Sequence, residues 1–252
     1  MRRSFLVALC ALGCLFLAWR EMDLAGHAST AYFLEAGGGD ATLLLTDKGR
    51  RILVDAGDGA SILDPLGRLL PFFDRRIDLL VLTHPDANRS GALPALLKRY
   101  EIGAALLTQR NHANGKVAEA MSLLRAQSIP VYPAVAGQSL SLDELTLHVL
   151  WPPEGAAEKE STVILRIDAP SQRILLSGSI PADLRRKTFA GWGELDADIW
   201  RLPSGSRLSE DDPLWDTVSP MLVIAPTEKT VVPANFSRKN LHGSSFIPLI
   251  LK

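Results

Sequence analysis

Cysteine is nearly absent: the 252 residues hold only Cys10 and Cys14, and both lie in an apolar N-terminal stretch. The rest of the chain therefore has no thiolate metal ligand and no pair from which to build a disulfide. Net charge is also scarce. With 27 basic against 28 acidic residues the formal charge is −1, so no overall positive field exists to hold nucleic acid without local patches. Histidines number five, and any metal site must be assembled from these, aspartates and glutamates. No internal repeat of about 20 to 50 residues marks a solenoid. No low-complexity linker exceeds the stretch from Gly155 to Glu160. The length suffices for one large core or two modest ones.

The one long uncharged run is "SFLVALCALGCLFLAW", Ser4 to Trp19, preceded by Arg2 and Arg3 and followed by Arg20, Glu21 and Asp23. A full span takes roughly 17 to 25 residues, and Trp19 with the flanking arginines can complete the crossing at the interface. Residues 1–24 thus read as an uncleaved single-pass signal anchor. A cleaved signal peptide, with a candidate site in "AGHA", and a lipoprotein cysteine at Cys14 are the alternatives. The arginine pair ahead of the run puts the N-terminus in the cytoplasm and residues 30–252 in the periplasm or at the cell exterior, on the inner membrane.

From Ala31 the chain alternates short apolar runs with turn residues. "TAYFLEA" reads as a strand and "ATLLLTDKGRRILVDAG" as a hairpin turning at Asp47, Lys48 and Gly49. A short helix around Leu63 to Leu70, the strand "IDLLVLT", a helix at Ala92 to Tyr100, the strand "AALLT", a helix around Val117 to Gln127 and the strand "IPVYP" follow. The second half is strand-rich: "LTLHVLWPP", "STVILRIDA", "QRILLSGSI", "ADIWRLP" and "MLVIAPT", with a helix starting at the proline of "PADLRRKTFA". Two sheets flanked by helices in one domain is the economical architecture. The terminal "SSFIPLILK" has no place in it.

The chemistry concentrates in "LLVLTHPDANRSGAL", residues 79–93, where His84 and Asp86 follow an apolar strand at alternate positions and Asn88 and Arg89 come next. Together with "YFLEAGGGDATLLLTDKGRRILVDAG", "QRILLSGSI" and "ADIWRLPSGS", this order of motifs resembles the extracytoplasmic metallo-β-lactamase-type domain of the ComEC family of competence DNA-uptake proteins. The resemblance runs from about Ala31 to Ala225. It implies a four-layer αββα sandwich, here preceded by one transmembrane helix. It also implies two metals with an activated water that hydrolyses a phosphodiester. The family pattern sets His-x-(Asp/His)-x-Asp-His after the strand, an aspartate at the later strand end and a histidine pair in Pro-His-His-Gly-Ser.

This sequence matches that pattern only at His84 and Asp86. Asn88 and Arg89 replace the Asp-His, Ser179 replaces the aspartate, and "PSGS" with Ser204 replaces the histidine pair. A guanidinium is donor-only and stays charged, so Arg89 cannot ligate a cation and repels one. Asn88 and Ser179 are weak substitutes for carboxylates. The expectation is an eroded centre with no resident cofactor, in a non-catalytic binding or interaction module. Arg89, Asn88, Ser179 and Ser204 would then hold a phosphate-containing ligand, or the domain would meet a DNA-uptake component. The competing reading is a phosphodiesterase-like hydrolase using zinc or manganese on His84 and Asp86, with His242 and Asp198 recruited and Asp55 near the same edge.

Other features have plain readings. His148 alternates with apolar neighbours and reads as a strand residue, while His27 and His112 sit in polar contexts. "GGGD" at Gly37 to Asp40 lacks the Lys-Ser/Thr of a P-loop and reads as a tight passage between strands. "SGS" at 204–206 lacks a nucleophile elbow. Arg185, Arg186 and Lys187 read as a solvated helix face, with a phosphate contact as the alternative. The anchor yields a direct expectation: the full-length chain fractionates with membranes, and its domain is digested by protease added to intact spheroplasts. Protection of the domain would reverse the orientation, and loss of an N-terminal piece in the mature mass would favour the cleaved signal peptide.

Overall fold

Tight glycine turns and doubly buried strands set the architecture. The structure is a computed structural model, and it describes residues 11, 13–15, 28–84, 87–108, 115–156, 162–178, 195–206, 208–227, 229–241 and 246–251. β1 (Thr30–Ala36) and β2 (Gly39–Leu45) are joined by Gly37 and Gly38 at φ 66° and 77°, the conformation of a primed two-residue hairpin turn. A Cβ at Gly37 would lie 2.6 Å from the Asp58 carbonyl oxygen, so no other residue fits there without a shift. β3 (Arg51–Val54) returns antiparallel to β2 across residues 46–50, as the sequence leads one to expect.

Parallel strands β4 (Arg76–Leu82), β5 (Glu101–Leu107) and β6 (Val131–Pro133) complete that side, alternating with helices α1 (Leu63–Leu69), α2 (Ala87–Ser90), α3 (Leu93–Leu97) and α4 (Gly115–Ala126). The unbroken "LLVL" of β4 follows from burial on both faces. Leu79 and Val81 enter the core between the sheets, while Leu80 and Leu82 enter the core shared with the helices.

The second sheet contains β7 (Ser139–Leu142), β8 (Leu145–Trp151), β9 (Ile164–Asp168), β10 (Arg173–Leu176), β11 (Ile199–Arg201), β12 (Leu222–Ala225) and β13 (Ser237–Asn240). It packs on the first through Phe33, Ile52, Val81, Leu147, Leu165 and Ile174. Its other face buries Trp200 against Trp215 of α5 (Leu214–Val218), edge to face with centroids 5.0 Å apart. Both sheets mix parallel and antiparallel pairs, and together they make the expected α/β sandwich.

Three strands escape the sequence reading. The unplaced C-terminus is β14 (Phe246–Ile250), which leaves the second half and pairs antiparallel with β1 at the edge of the first sheet. β7 buries only Leu142, and β13 has no apolar residue at all, so neither carries the pattern that announces a strand. The expected anchor at 1–24 lies almost wholly outside the described residues, among which no helix is long and apolar enough to cross a membrane. His27, His112, and Arg185, Arg186 and Lys187 of the expected helix also lie outside them.

Leu251, 2% exposed, closes the core beneath β14, and its N–H donates to the Ser29 carbonyl at 2.7 Å. Leu251→Ala should therefore cost about 2–5 kcal/mol in urea unfolding. A change within error would mean that β14 adds nothing to the domain's stability.

Candidate functional site

The C-terminal ends of β3, β4, β10 and β11 converge with the start of β2 at one end of the sandwich, the usual place for ligands in sheets of this kind. Local geometry fixes the approach. Asp55, just past β3, takes φ 61°, a left-handed conformation that aspartate tolerates better than most residues, and its N–H donates to the Val81 carbonyl at 2.8 Å. Gly57, φ 71°, donates its N–H to the Asp40 carbonyl at 2.9 Å, and a Cβ there would be 2.2 Å from that of Ala36. Ala56 donates to the Arg89 carbonyl at 2.8 Å. Residues 55–57 thereby lock the β1–β2 turn to α2.

This arrangement buries two carboxylates with two guanidinium groups. Arg89 is 2% exposed; its Nη2 lies 2.9 Å from Asp40 Oδ2 and its Nε 3.8 Å from Asp55 Oδ2. From the other sheet, Arg201 Nη1 donates to Asp40 Oδ1 at 2.7 Å, and the Ser204 N–H and hydroxyl donate to the same oxygen at 3.0 and 2.8 Å. Burial alone would push the Asp40 carboxyl up, but Arg201 and Arg89 outweigh it and hold it below its usual 3.8. Asp55 fares differently. Its oxygens accept the Thr83 N–H at 2.8 Å and the Thr83 hydroxyl at 2.6 Å, yet burial dominates and raises its pKa from 3.8 to about 7, against the pull of Arg89.

The cavity among these groups measures about 20 Å³ and is lined by Asp40, Asp55, Thr83, Arg89, Arg201 and Pro203, among others. It has room for a water or one small polar group, not for a sugar ring or a base. Among the described residues, Arg201 Nε and Nη2 are buried without a hydrogen-bond partner. A metal does not fit this donor set: a guanidinium sits between the two carboxylates where a cation would be drawn, and neither acid is free of donors.

Of the residues singled out in the sequence, Arg89 and Ser204 meet here on Asp40. His84 follows Thr83 but does not line the cavity. Asp198 stands at the opposite end of the second sheet, before β11, where its carboxylate accepts the Arg173 N–H at 2.7 Å, so it is a strand-length from where a rescue ligand would be needed. His148 faces Ser139 and Asp168 on the strand ladder, with Nε2 3.3 Å from Asp168 Oδ2. Asp86, Ser179, His242 and the Asn88 side chain lie outside the described residues.

Asp40 and Arg201 were missed. The signal for both was a lone charged residue inside an otherwise uncharged strand segment, "GGGDATLLL" and "IWRLP", which buries a charge that then demands a partner. Elsewhere, Asp47, Asp143 and Glu144 bring ligand-type oxygens within 4.8 Å of one another, the only such group among the described residues. Asp143 is already engaged by the Thr46 hydroxyl at 2.7 Å and by Arg50 at 3.5 Å.

Comparison with known proteins places this geometry. No family model matches the chain. In sequence it is 21% identical over 168 residues to ComE operon protein 3 of Bacillus subtilis (strain 168), a ComEC-family protein, covering 64% of this chain but only 22% of that one. In structure it matches the metallo-β-lactamase fold protein YhfI from Bacillus subtilis at a TM-score of 0.59 and 11% identity, over 88% of this chain and 99% of that one. The chain has the metallo-β-lactamase fold. Igni18, a metallo hydrolase from Ignicoccus hospitalis KIN4/I, matches this fold likewise, at a TM-score of 0.54 and 13% identity over 88% of this chain and 100% of that one. The sequence resemblance to ComEC thus stands on a shared metallo-β-lactamase fold and a shared stretch of sequence.

Two measurements probe the buried charges. Arg89→Met leaves Asp40 and Asp55 short of a counter-charge in the interior and should cost about 3–5 kcal/mol; a loss under about 1 kcal/mol would put the guanidinium outside the network. For pH, the folded chain holds the Asp55 proton up to about 7 while the unfolded chain releases it near 3.8. The folded state therefore binds more protons in between, and stability falls as pH rises through that window. Asp40 acts in the opposite sense and only below its unfolded 3.8, where its contribution is lost as pH falls. Between about pH 5 and 8, Asp55→Asn should lose less stability than the wild type, by on the order of 3 kcal/mol. Parallel profiles would show that Asp55 ionises as an ordinary carboxylate.

Proposed function

We propose that this chain is a membrane-anchored, ComEC-like metallo-β-lactamase-fold domain, facing the periplasm or cell exterior, that binds rather than cleaves its ligand. The observation that carries the reading is Arg89, buried against Asp40 and Asp55. Its fixed positive charge holds the two acids that a cation would otherwise neutralise, and it generates no hydroxide nucleophile. Hydrolysis at this site then lacks its activated water. What remains is a small polar cavity with an excess of donors. Arg201 Nε and Nη2 form the edge of a guanidinium fork that suits an oxyanion bidentately, which supports a phosphate-containing ligand over a neutral one. Arg89 itself is committed to Asp40, so the anion-binding role expected of it passes to Arg201. A DNA-uptake component is the partner class that the ComEC resemblance suggests, and the uncharged run at 4–19 supplies the anchor.

Purified, detergent-solubilised full chain should carry well under one zinc or manganese per molecule and show no metal-stimulated cleavage of an activated phosphodiester. A chelator should leave its melting temperature unchanged. The double variant Asn88→Asp, Arg89→His should gain weak metal binding while losing stability, because it supplies ligands and simultaneously frees the carboxylates. Stoichiometric metal with chelator-sensitive turnover in the unmodified chain would overturn the reading in favour of a hydrolase.

A further inference from the structure

The end of the sandwich opposite the cavity carries a second feature. Between α1 and β4 the loop "LLPFFDRR", residues 69–76, leaves Phe72 and Phe73 side by side in solvent, 83% and 77% exposed. Residues 68–76 hold three arginines against one aspartate; Asp74 Oδ2 accepts Arg51 Nη2 at 2.8 Å, while Arg68 pairs with Asp64 at 3.0 Å and Arg76 with Asp78 at 3.0 Å and Glu101 at 3.7 Å, which leaves Arg75 as the loop's uncommitted cation among the described residues. The Arg75 guanidinium lies 5.7 Å from the Phe72 ring centroid and makes no ion pair among the described residues. Exposed Lys98 and Arg99 adjoin it, since the Glu101 N–H donates to the Arg75 carbonyl at 2.9 Å. Two bare aromatic rings inside a basic collar fit an anionic lipid surface, with rings at the acyl boundary and guanidinium groups among the headgroups.

Topology puts this loop at the end of the sheet where β1 begins. β1 starts at Thr30, which pairs with Leu45, which pairs with Arg51; Arg51 and Arg76 then begin the adjacent parallel strands β3 and β4. Thr30 and the phenylalanine loop thus share one end of the sheet, about 14 Å apart across three strand spacings. Residues 20–27, all that separates the uncharged run from Ala28, reach at most about 28 Å fully extended. A tether this short keeps that end of the domain at the membrane.

We propose that Phe72 and Phe73, with Arg75, Lys98 and Arg99, dock the domain on an anionic bilayer and direct its cavity away from the membrane. The tether rests on the anchor reading above; the loop's chemistry does not. The test uses full chain carrying Cys10→Ser and Cys14→Ser, reconstituted in nanodiscs of phosphatidylglycerol and phosphatidylcholine, with a nitroxide on Phe73→Cys or, at the cavity end, on Ser61→Cys. The label at 73 should become several-fold less accessible to a water-soluble nickel chelate in the discs than in detergent, and remain accessible to oxygen. The label at 61 should stay open in both. Equal nickel access at 73 in discs and detergent would overturn the proposal, as would protection already present in detergent, which marks a protein contact. If the chain proves to be released from membranes, the anchor reading fails by itself. Flotation with phosphatidylglycerol vesicles then tests the loop, and binding that survives Phe72→Ser with Phe73→Ser would overturn it.

Discussion

One carboxylate holds the functional end of this molecule together. Asp40, at the head of β2 in the first sheet, is gripped by Arg89 from α2 and by Arg201 from β11 in the second sheet. Three elements that are remote in sequence meet on two oxygen atoms. Burying such ions costs several kcal/mol each, and the cost is offset only because each acid oxygen faces a cationic donor at hydrogen-bond distance. The arrangement is therefore intolerant of partial removal. The glycine turn before Asp40 and the left-handed turn at Asp55 can be understood as what it takes to bring the acids within reach of guanidinium groups anchored elsewhere.

In the function proposed above, a side chain takes the role of a metal, and that would change the character of the site. A metal ion is exchangeable, is lost with its ligands' protonation and brings a coordinated water into reaction. A guanidinium is covalently part of the chain, stays charged at every accessible pH and offers only hydrogen-bond donors. On the function proposed above, the fold keeps a positive centre and gives up Lewis-acid chemistry. Asp55, the acid farther from Arg89, shows the limit of the exchange: a single charge shared with Asp40 does not fully compensate its burial, and its proton stays on until about neutral pH.

Much of the sandwich could be read in advance because its central strands are apolar on both faces. "LLVL" and "RILL" announce themselves, and the Asp47-Lys48-Gly49 turn fixes a hairpin. What escaped was decided by long-range pairing. β13 is polar throughout and is a strand only because β12 offers an edge, and β14 joins a sheet whose other strands all lie more than a hundred residues earlier. The site divided in the same way. Arg89 was legible as a residue that cannot itself ligate a cation, since its chemistry is local. Its true partner was not, because the pairing of Arg89 with Asp40 spans 49 positions and nothing local specifies it.

The return of β14 to β1 also determines how the domain would bear load. Tension arriving along the chain at residue 28 enters β1, which lies between two antiparallel neighbours, paired over five residues with β14 and over seven with β2. A strand flanked on both sides and pulled along its length must break both ladders in shear, many hydrogen bonds at once, instead of peeling them singly. A domain tethered at this point would resist mechanical unfolding from its N-terminal side far better than a free edge strand could.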